Sequence, residues 1–303
     1  GTLVVGLNKG MKCITIDGLS SEKKDFNQEI SQSLIGIDCR DKTIFTFVDG
    51  MSTRIKAFID GLYNNIGLSP NFIGGGAGSL SLESKPCIVT NKGLISDAAL
   101  LGITNINSGI GVAHGWNSFS KTIKVTESAK NRVISLNWEP ALKVYKRAIK
   151  ENSDVSFENQ SFFDIAKSYP LGILKLDEEM VVRDPIKTEN NHLICVGEVP
   201  QGSYIHILQG DINSLIEGAV SSKIQAVNNY TGKVAKSSML FMDCISRVLF
   251  MRENFQQELG TVSDHSFTFG ALSIGEIANT GDSYLEFYNK TAVIGLLEEK
   301  YEE

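Results

Sequence analysis

The sequence predicts a mixed α/β fold: two sheet-containing domains packed on each other with helices on the outer faces, in its favoured form a layered helix–sheet–sheet–helix sandwich. Three observations predict it. The chain has 303 residues, about twice the size of one ordinary core. Short apolar runs rich in Val and Ile recur between Gly, Asn and Ser punctuation, as in strands. A few longer segments carry apolar residues at helical spacing.

From the amino end, STRIKAFIDGLYNNIG sets Ile55, Phe58, Ile59, Leu62 and Ile66 on one helical stripe, with Ser52 as the expected N-cap and Gly67 just past the end. FIGGGAGSL follows as an expected tight turn. PCIVTN, GLISDAALLGI, IGVAHGW, TIKVT and RVISL read as successive strands of a meander. A second helix opens at Glu139, with Pro140 in its first turn and Ala141, Leu142, Tyr145, Ala148 and Ile149 facing inward. The domain boundary is placed there, giving units 1–137 and 138–303.

In the second unit, YPLGILKL and VVRDPI read as strands, the latter expected to end at Pro185. HLICVGEV and YIHILQ flank VPQG as an expected hairpin. DINSLIEGAVSSKIQAV is the clearest helix, with Asp211 as N-cap and Ile212, Leu215, Ile216, Ala219, Val220, Ile224 and Val227 on one face. SMLFMDC enters a helix, ISRVLFMRENFQQELG, that stops at Gly260. SFTFGALSIGEIAN, YLEFYN and TAVIGLLEE are assigned to a second sheet. No fixed period recurs, which argues against a solenoid or propeller.

Composition narrows the function classes. Hydrophobic residues make up 42% and charged residues 21%, an ordinary globular balance. The net charge is -6 with Lys and Arg dispersed, so no footprint for nucleic acid is visible. No apolar stretch approaches the roughly 20 residues that cross a bilayer, and GTLVVGLNKGMKC lacks the pattern of a signal peptide. Five cysteines without CxxC spacing suit a reducing cytoplasm. The histidines are far apart, and His192 and Cys195 point to opposite faces of a strand, so neither a metal nor a cofactor is expected.

Several residue types suit ligand binding. His114-Gly115-Trp116 follows an apolar strand and can present an imidazole and an indole to a cleft, or be a half-buried Trp beside a satisfied histidine. Arg183 and Arg247 stand at the edges of apolar runs, where a guanidinium can hold a carboxylate or pair with Glu258 or Glu276. Glu276, between apolar neighbours, needs a cationic partner and can receive a ligand ammonium. Gly75 and Gly76 lie in a run that can expose N–H groups to an anion, but it has neither the P-loop ending nor GxGxxG spacing.

Other motifs occur in a recognisable order: Gly75-Gly76-Ala77-Gly78, His114-Gly115-Trp116, Val125-Thr126, Pro140-Ala141 with Tyr145, Pro170-Leu171-Gly172, Val182-Arg183 and Val199-Pro200-Gln201-Gly202. Cys244 with Arg247, Glu258, Phe267-Thr268-Phe269-Gly270, Gly275-Glu276-Ile277 and Asn289 before Thr291 complete the series. As an ordered set it resembles the FIST domains. The resemblance implies an N-terminal domain ending near Leu136, a C-terminal one beginning near Trp138, and an intracellular input module for a small ligand. It adds Asn289, Gly75 and Gly76 to the candidate site. It also implies output partners such as a chemoreceptor, histidine kinase or diguanylate cyclase, with an F-box in eukaryotic relatives. Family members usually carry an earlier strand–helix stretch, so a truncated amino end is expected.

Three functions compete. A sensor for an amino acid or small carboxylate comes first. A hydrolase using Cys244 with His114 as base and Glu276 as orienting carboxylate comes second, and a protein-docking adaptor third. The sensor reading places the site at the domain junction, with His114 and Trp116 from the first unit and Arg247 and Glu276 from the second.

Overall fold

The computed structural model describes residues 10–81, 83–158, 160–175, 180–263, 267–279 and 284–299. Strand alternation explains its layers. In Thr43–Asp49, Ile44 and Val48 point to one side of a six-stranded sheet and Phe45 and Phe47 to the other. The first side is covered by helices α1 (Phe26–Ser33) and α2 (Ile55–Ile66). The second packs on a four-stranded sheet through Leu240, Met242 and Val293. On that sheet's far side, Met239, Phe241, Ile294 and Leu296 meet two further helices. The predicted helix–sheet–sheet–helix sandwich is the result.

The sheets do not divide at residue 137. The six-stranded sheet runs Lys12–Asp17, Ala98–Thr104, Thr43–Asp49, Asn71–Ala77, Glu276–Ala278 and Glu286–Tyr288, so its last two strands come from the far end of the chain. The four-stranded sheet runs Thr268–Ser273, Ser237–Cys244, Ala292–Glu298 and Ser108–Ala113. The predicted meander is therefore dispersed, because Ala98–Thr104, Ser108–Ala113 and the strands after them each join a different sheet.

A third unit was not expected from the sequence. Ile123–Ala129 pairs with both Arg132–Leu136 and Tyr204–Gln209, which closes a ring with Leu171–Leu174, Met180–Glu189 and His192–Val196. All six pairings are antiparallel, so this is a small closed barrel without free edges among its members. Helix α3 (Ala141–Asn152) packs Val144, Tyr145 and Ile149 onto its core. The VPQG segment is not a hairpin turn, since its flanking strands pair with other strands. Pro185 does not end its strand either: the ladder is shifted between Pro185 and Lys187, a bulge that removes the need for a proline N–H.

Short helix α4 (Phe162–Ala166) precedes the barrel strand Leu171–Leu174. Helix α5 (Ile212–Asn229) starts at Asp211, whose carboxylate accepts the Ser214 N–H (2.8 Å) while Ser214 Oγ accepts the Asp211 N–H (3.0 Å). Its buried face is Leu215, Gly218, Ala219, Ser222 and Ala226, whereas Ile224 is exposed, contrary to the predicted stripe. The predicted single helix after Cys244 is two, α6 (Ile245–Met251) and α7 (Phe255–Val262), broken where Arg252 takes φ 52°. Gly260 lies inside α7 instead of stopping it.

Candidate functional site

The glycine run forms the centre of a strand, not a turn. A Cβ on Gly76 would meet the Ile274 carbonyl oxygen at 2.1 Å, and one on Gly74 would meet the Thr46 oxygen at 1.9 Å. Glycine lets the Ile274 segment, which links the four-stranded sheet to the six-stranded one, approach the strand at Gly76, whereas the Gly74 contact is with the neighbouring strand of the same sheet. The Gly76 N–H donates to the Gly275 oxygen (2.7 Å) and its carbonyl accepts the Ile274 N–H (2.7 Å), so these groups serve the fold and not an anion.

Beside this contact, where the six-stranded sheet, the four-stranded sheet and the barrel meet, lies a cavity of about 300 Å³. The first half of the chain supplies Gly76, Gly78, Ser79 and Leu80; Phe163 comes from α4, and the barrel supplies Asp184, Ile186 and Val196. The start of α6 gives Cys244, Ile245, Ser246 and Leu249, and the remaining wall is Leu272, Ile274, Gly275 and Asn289. Leu80, Leu249 and Leu272 are partly exposed at the rim. Such apolar walls with a few convergent polar groups are the usual make-up of a small-molecule site.

The polar groups are held from behind. Asp184 is buried, its Oδ2 accepts the Ser246 hydroxyl, and its N–H donates to Asn289 Oδ1 (3.1 Å). Asn289 Nδ2 donates to the Tyr288 oxygen (2.9 Å). Lys290 Nζ lies 3.3 Å from Asp184 Oδ1 and donates to the Lys167 oxygen (3.0 Å). Asp184 and Ser246 were not singled out in the sequence. The argument applied to Glu276, a carboxylate between apolar neighbours, would have found Asp184 in VVRDPI as well.

Of the predicted residues, Cys244, Asn289 and Gly76 line this cavity, and Gly75 lies next to it in the strand. Arg183 and Arg247 do not line it. Arg183 donates to the oxygens of Glu198 (2.9 Å), Val182 (3.0 Å) and Phe287 (2.6 Å) and to Glu286 Oε1 (3.1 Å). Arg247 has Nε 2.9 Å from Asp243 Oδ1, donates to the oxygens of His114 (2.7 Å) and Leu215 (2.9 Å), and pairs closely with Glu258. Both guanidiniums are therefore occupied inside the protein.

Glu276 also lines neither this cavity nor the second one. It is fully buried, accepts from Ser273 Oγ (2.8 Å), and is held well above the usual carboxylate range by burial and by the neighbouring Asp243 carboxylate. Trp116 is buried and donates its indole N–H to the Lys290 oxygen (3.1 Å). His114 Nδ1 accepts the Trp116 N–H (2.9 Å), and burial together with Arg247 pushes the imidazole down to about 4, so it is neutral near pH 7. Both line a separate, more open groove of about 420 Å³ with Ser214, Glu217 and Tyr288. His114 and Arg247 touch through the His114 carbonyl, but the four residues expected at the junction do not share one cleft.

Cys244 is not arranged as a nucleophile. Burial, then the Glu276 and Asp184 carboxylates, push its thiol far up, the reverse of an activated thiolate. No hydrogen bond joins it to His114 or Glu276. Among the described residues no group of three or more His, Cys, Asp or Glu is placed to hold a metal, and no helix is long and apolar enough to cross a membrane.

No curated protein matches the chain. Residues 3–139 match the family model described as the FIST N domain, and residues 141–279 match the FIST C domain. Together these cover most of the chain, including the glycine strand, Asp184, Cys244 and Glu276. The chain belongs to the FIST family of signal-transduction sensory domains.

Proposed function

We propose that the chain is the input module of a signalling pathway and that its ligand is a small molecule with an apolar body and an amino group, of the amino-acid-like class, bound in the cavity where the sheets meet. The observation that carries this is the cavity's composition: aliphatic walls around Asp184, Ser246 and Asn289, with contributions from both halves of the chain. The candidate site thus consists of Asp184, Ser246, Asn289, Cys244 and the Gly76 backbone, while Arg247 and Glu276 support it from inside. The output partner is a chemoreceptor, histidine kinase or diguanylate cyclase, which reads a change in packing between the layers.

A thermal-shift screen over amino acids, amines and small carboxylates tests this, since a ligand at a hundred times its Kd stabilises by about 2.7 kcal/mol. Hits should vanish in Leu249→Trp, whose indole fills the cavity from the rim. Hits that persist in that variant would move the site elsewhere.

A further inference from the structure

Asn137 and Trp138 are the two loop residues of the hairpin joining Arg132–Leu136 to Glu139–Pro140, closed by the pairing of Leu136 with Glu139. Both have positive φ, 47° and 63°, the combination that a type I′ turn requires and that Asn-Gly meets best. A second hairpin of the barrel makes the same demand between Glu189 and His192, and fills it with Asn190 and Asn191 at φ 50° and 64°. Tryptophan at such a position carries a backbone strain that glycine would relieve. Burial does not offset it, because Trp138 is 78% exposed. Its N–H donates to Thr126 Oγ1 (3.0 Å), a bond that any residue but proline could make there. Strain and exposure in one large side chain, against the preference of its own turn, point to a surface kept for contact with another molecule.

The indole does not stand alone. Lys124 Nζ lies 5.8 Å from the centre of the Trp138 ring and 5.9 Å from that of Tyr204, which is 51% exposed and pairs with Lys124 in the adjacent strand. Asn137 Oδ1 accepts the Lys124 N–H (2.9 Å) and the Asn137 N–H donates to the Lys124 oxygen (2.9 Å), which fixes the turn to the strand. Among the described residues no carboxylate is ion-paired with Lys124. The acid next to Trp138, Glu139, is already held by Lys143 (2.9 Å) and Arg147 (2.7 Å). An unpaired ammonium between two exposed aromatic rings is therefore the centre of this face.

We propose that this face of the barrel docks an acidic, extended segment of a partner protein. An Asp or Glu carboxylate of that segment pairs with Lys124, and a proline or aromatic residue beside it stacks on Trp138 and Tyr204. Trp and Tyr carry much of the binding energy at interfaces because they bring large, rigid surfaces at small entropic cost. Here the shared cation holds both rings in place before the partner arrives. A phosphate backbone would need a run of unpaired cations, and Lys143 and Arg147 are taken up by Glu139 on a chain of net charge -6. Neither Trp138, Tyr204 nor Lys124 lines the cavity or the open groove, so docking here is independent of where the ligand binds.

The experiment pans a random dodecapeptide phage library on wild type and titrates the selected peptides calorimetrically against wild type, Trp138→Gly, Tyr204→Ser and Lys124→Glu. Enriched peptides should carry Asp or Glu beside proline or an aromatic residue. Each substitution should weaken them at least tenfold, with Lys124→Glu the most severe. Urea unfolding should find Trp138→Gly at least as stable as wild type, since it completes an Asn-Gly turn, which separates lost docking from lost folding. A less stable Trp138→Gly would show that the indole serves the fold and would overturn the docking surface. Panning that yields no peptide distinguishing wild type from Trp138→Gly overturns it too, as do peptides without acidic enrichment or with undiminished affinity for Lys124→Glu. Binding of single-stranded oligothymidine in their place would assign the face to nucleic acid, and self-association of wild type abolished in Trp138→Gly would assign it to a second copy. Either result overturns the acidic-segment partner.

Discussion

The Lys290 ammonium sits 5.3 Å from the centre of the Trp116 ring, and Trp116 donates its indole N–H to the Lys290 carbonyl (3.1 Å). The same ammonium faces Asp184 across 3.3 Å. Just before it, Tyr288 lines the open groove and Asn289 lines the cavity. Residues 288–290 thus form a partition between the two concavities, with one cation touching groups on both sides.

Trp116 should therefore report occupancy of the cavity. Trp138 is 78% exposed and would mask the signal, so the measurement uses Trp138→Phe. Saturation with a cavity ligand that engages Asp184 should alter the hold on Lys290 and shift or quench Trp116 emission. Unchanged emission at saturation would mean that the partition is rigid.

Cysteine reactivity separates binding from catalysis. At pH 8 in the native protein, the exposed Cys13 should react with a thiol reagent, while Cys244 and Cys195, whose thiols burial pushes upward, should react only on unfolding. Rapid native labelling of Cys244, located by peptide mapping, would reopen the hydrolase reading.

The helices were the legible part of the fold, and the physical reason is locality. The stripe Ile55, Phe58, Ile59, Leu62 has its partners fixed by a 3.6-residue period within one segment, and it is buried as expected. Strand partners are not local: Glu276 pairs with Gly75, about two hundred positions away, and nothing in GEIAN announces it. Ser52 was a reasonable cap by type, yet its hydroxyl donates to Asp97 (2.8 Å) and α2 has no side-chain cap. In the site, the sequence singled out charged residues in apolar runs. It could not tell that Arg247 would be spent on internal partners, and it passed over Asp184, which lines the cavity, although VVRDPI offers the same pattern.

Two glycine substitutions should have opposite signs. Gly76→Ala puts a methyl 2.1 Å from the Ile274 oxygen and 2.9 Å from Gly50 Cα, both backbone atoms, so it should cost at least about 1–3 kcal/mol. Gly260→Ala lies in α7 with nothing within 4 Å and should stabilise by about 0.5–1 kcal/mol. Urea unfolding measures both, and equal effects would discount the close approach of the Ile274 backbone to Gly76.

Arg247→Ala should act on stability first. It removes the cation between buried Asp243 and Glu258 and the donors to His114 and Leu215, a loss of about 3–5 kcal/mol. A variant with wild-type stability and weakened ligand affinity would instead return Arg247 to the binding site.

Glu276 should leave a signature in the pH dependence of stability. Burial raises its carboxyl well above the ordinary value of 4.5, with the Asp243 carboxylate adding to the shift. The folded state therefore holds a proton that the unfolded state releases. For a raised group the stabilisation is fully present below the unfolded pKa and is lost as pH rises towards the folded one. Wild type should lose up to about 1.4 kcal/mol per pH unit from this group above the ordinary carboxylate pKa. Glu276→Gln keeps an oxygen that can accept the Ser273 hydroxyl but cannot ionise, so its stability should fall less steeply over the same window. Opposite behaviour is expected of Glu286: burial works against its ionisation, but Arg183 and Lys175 outweigh it and lower the pKa. Its contribution is present above the unfolded pKa and disappears on acidification, so Glu286→Gln should flatten the acid limb only. Denaturant titrations of the three proteins from pH 4 to pH 9 distinguish these effects. Parallel wild-type and Glu276→Gln curves above pH 5 would show that Glu276 is ionised in the folded protein, with a buried cation or water satisfying it.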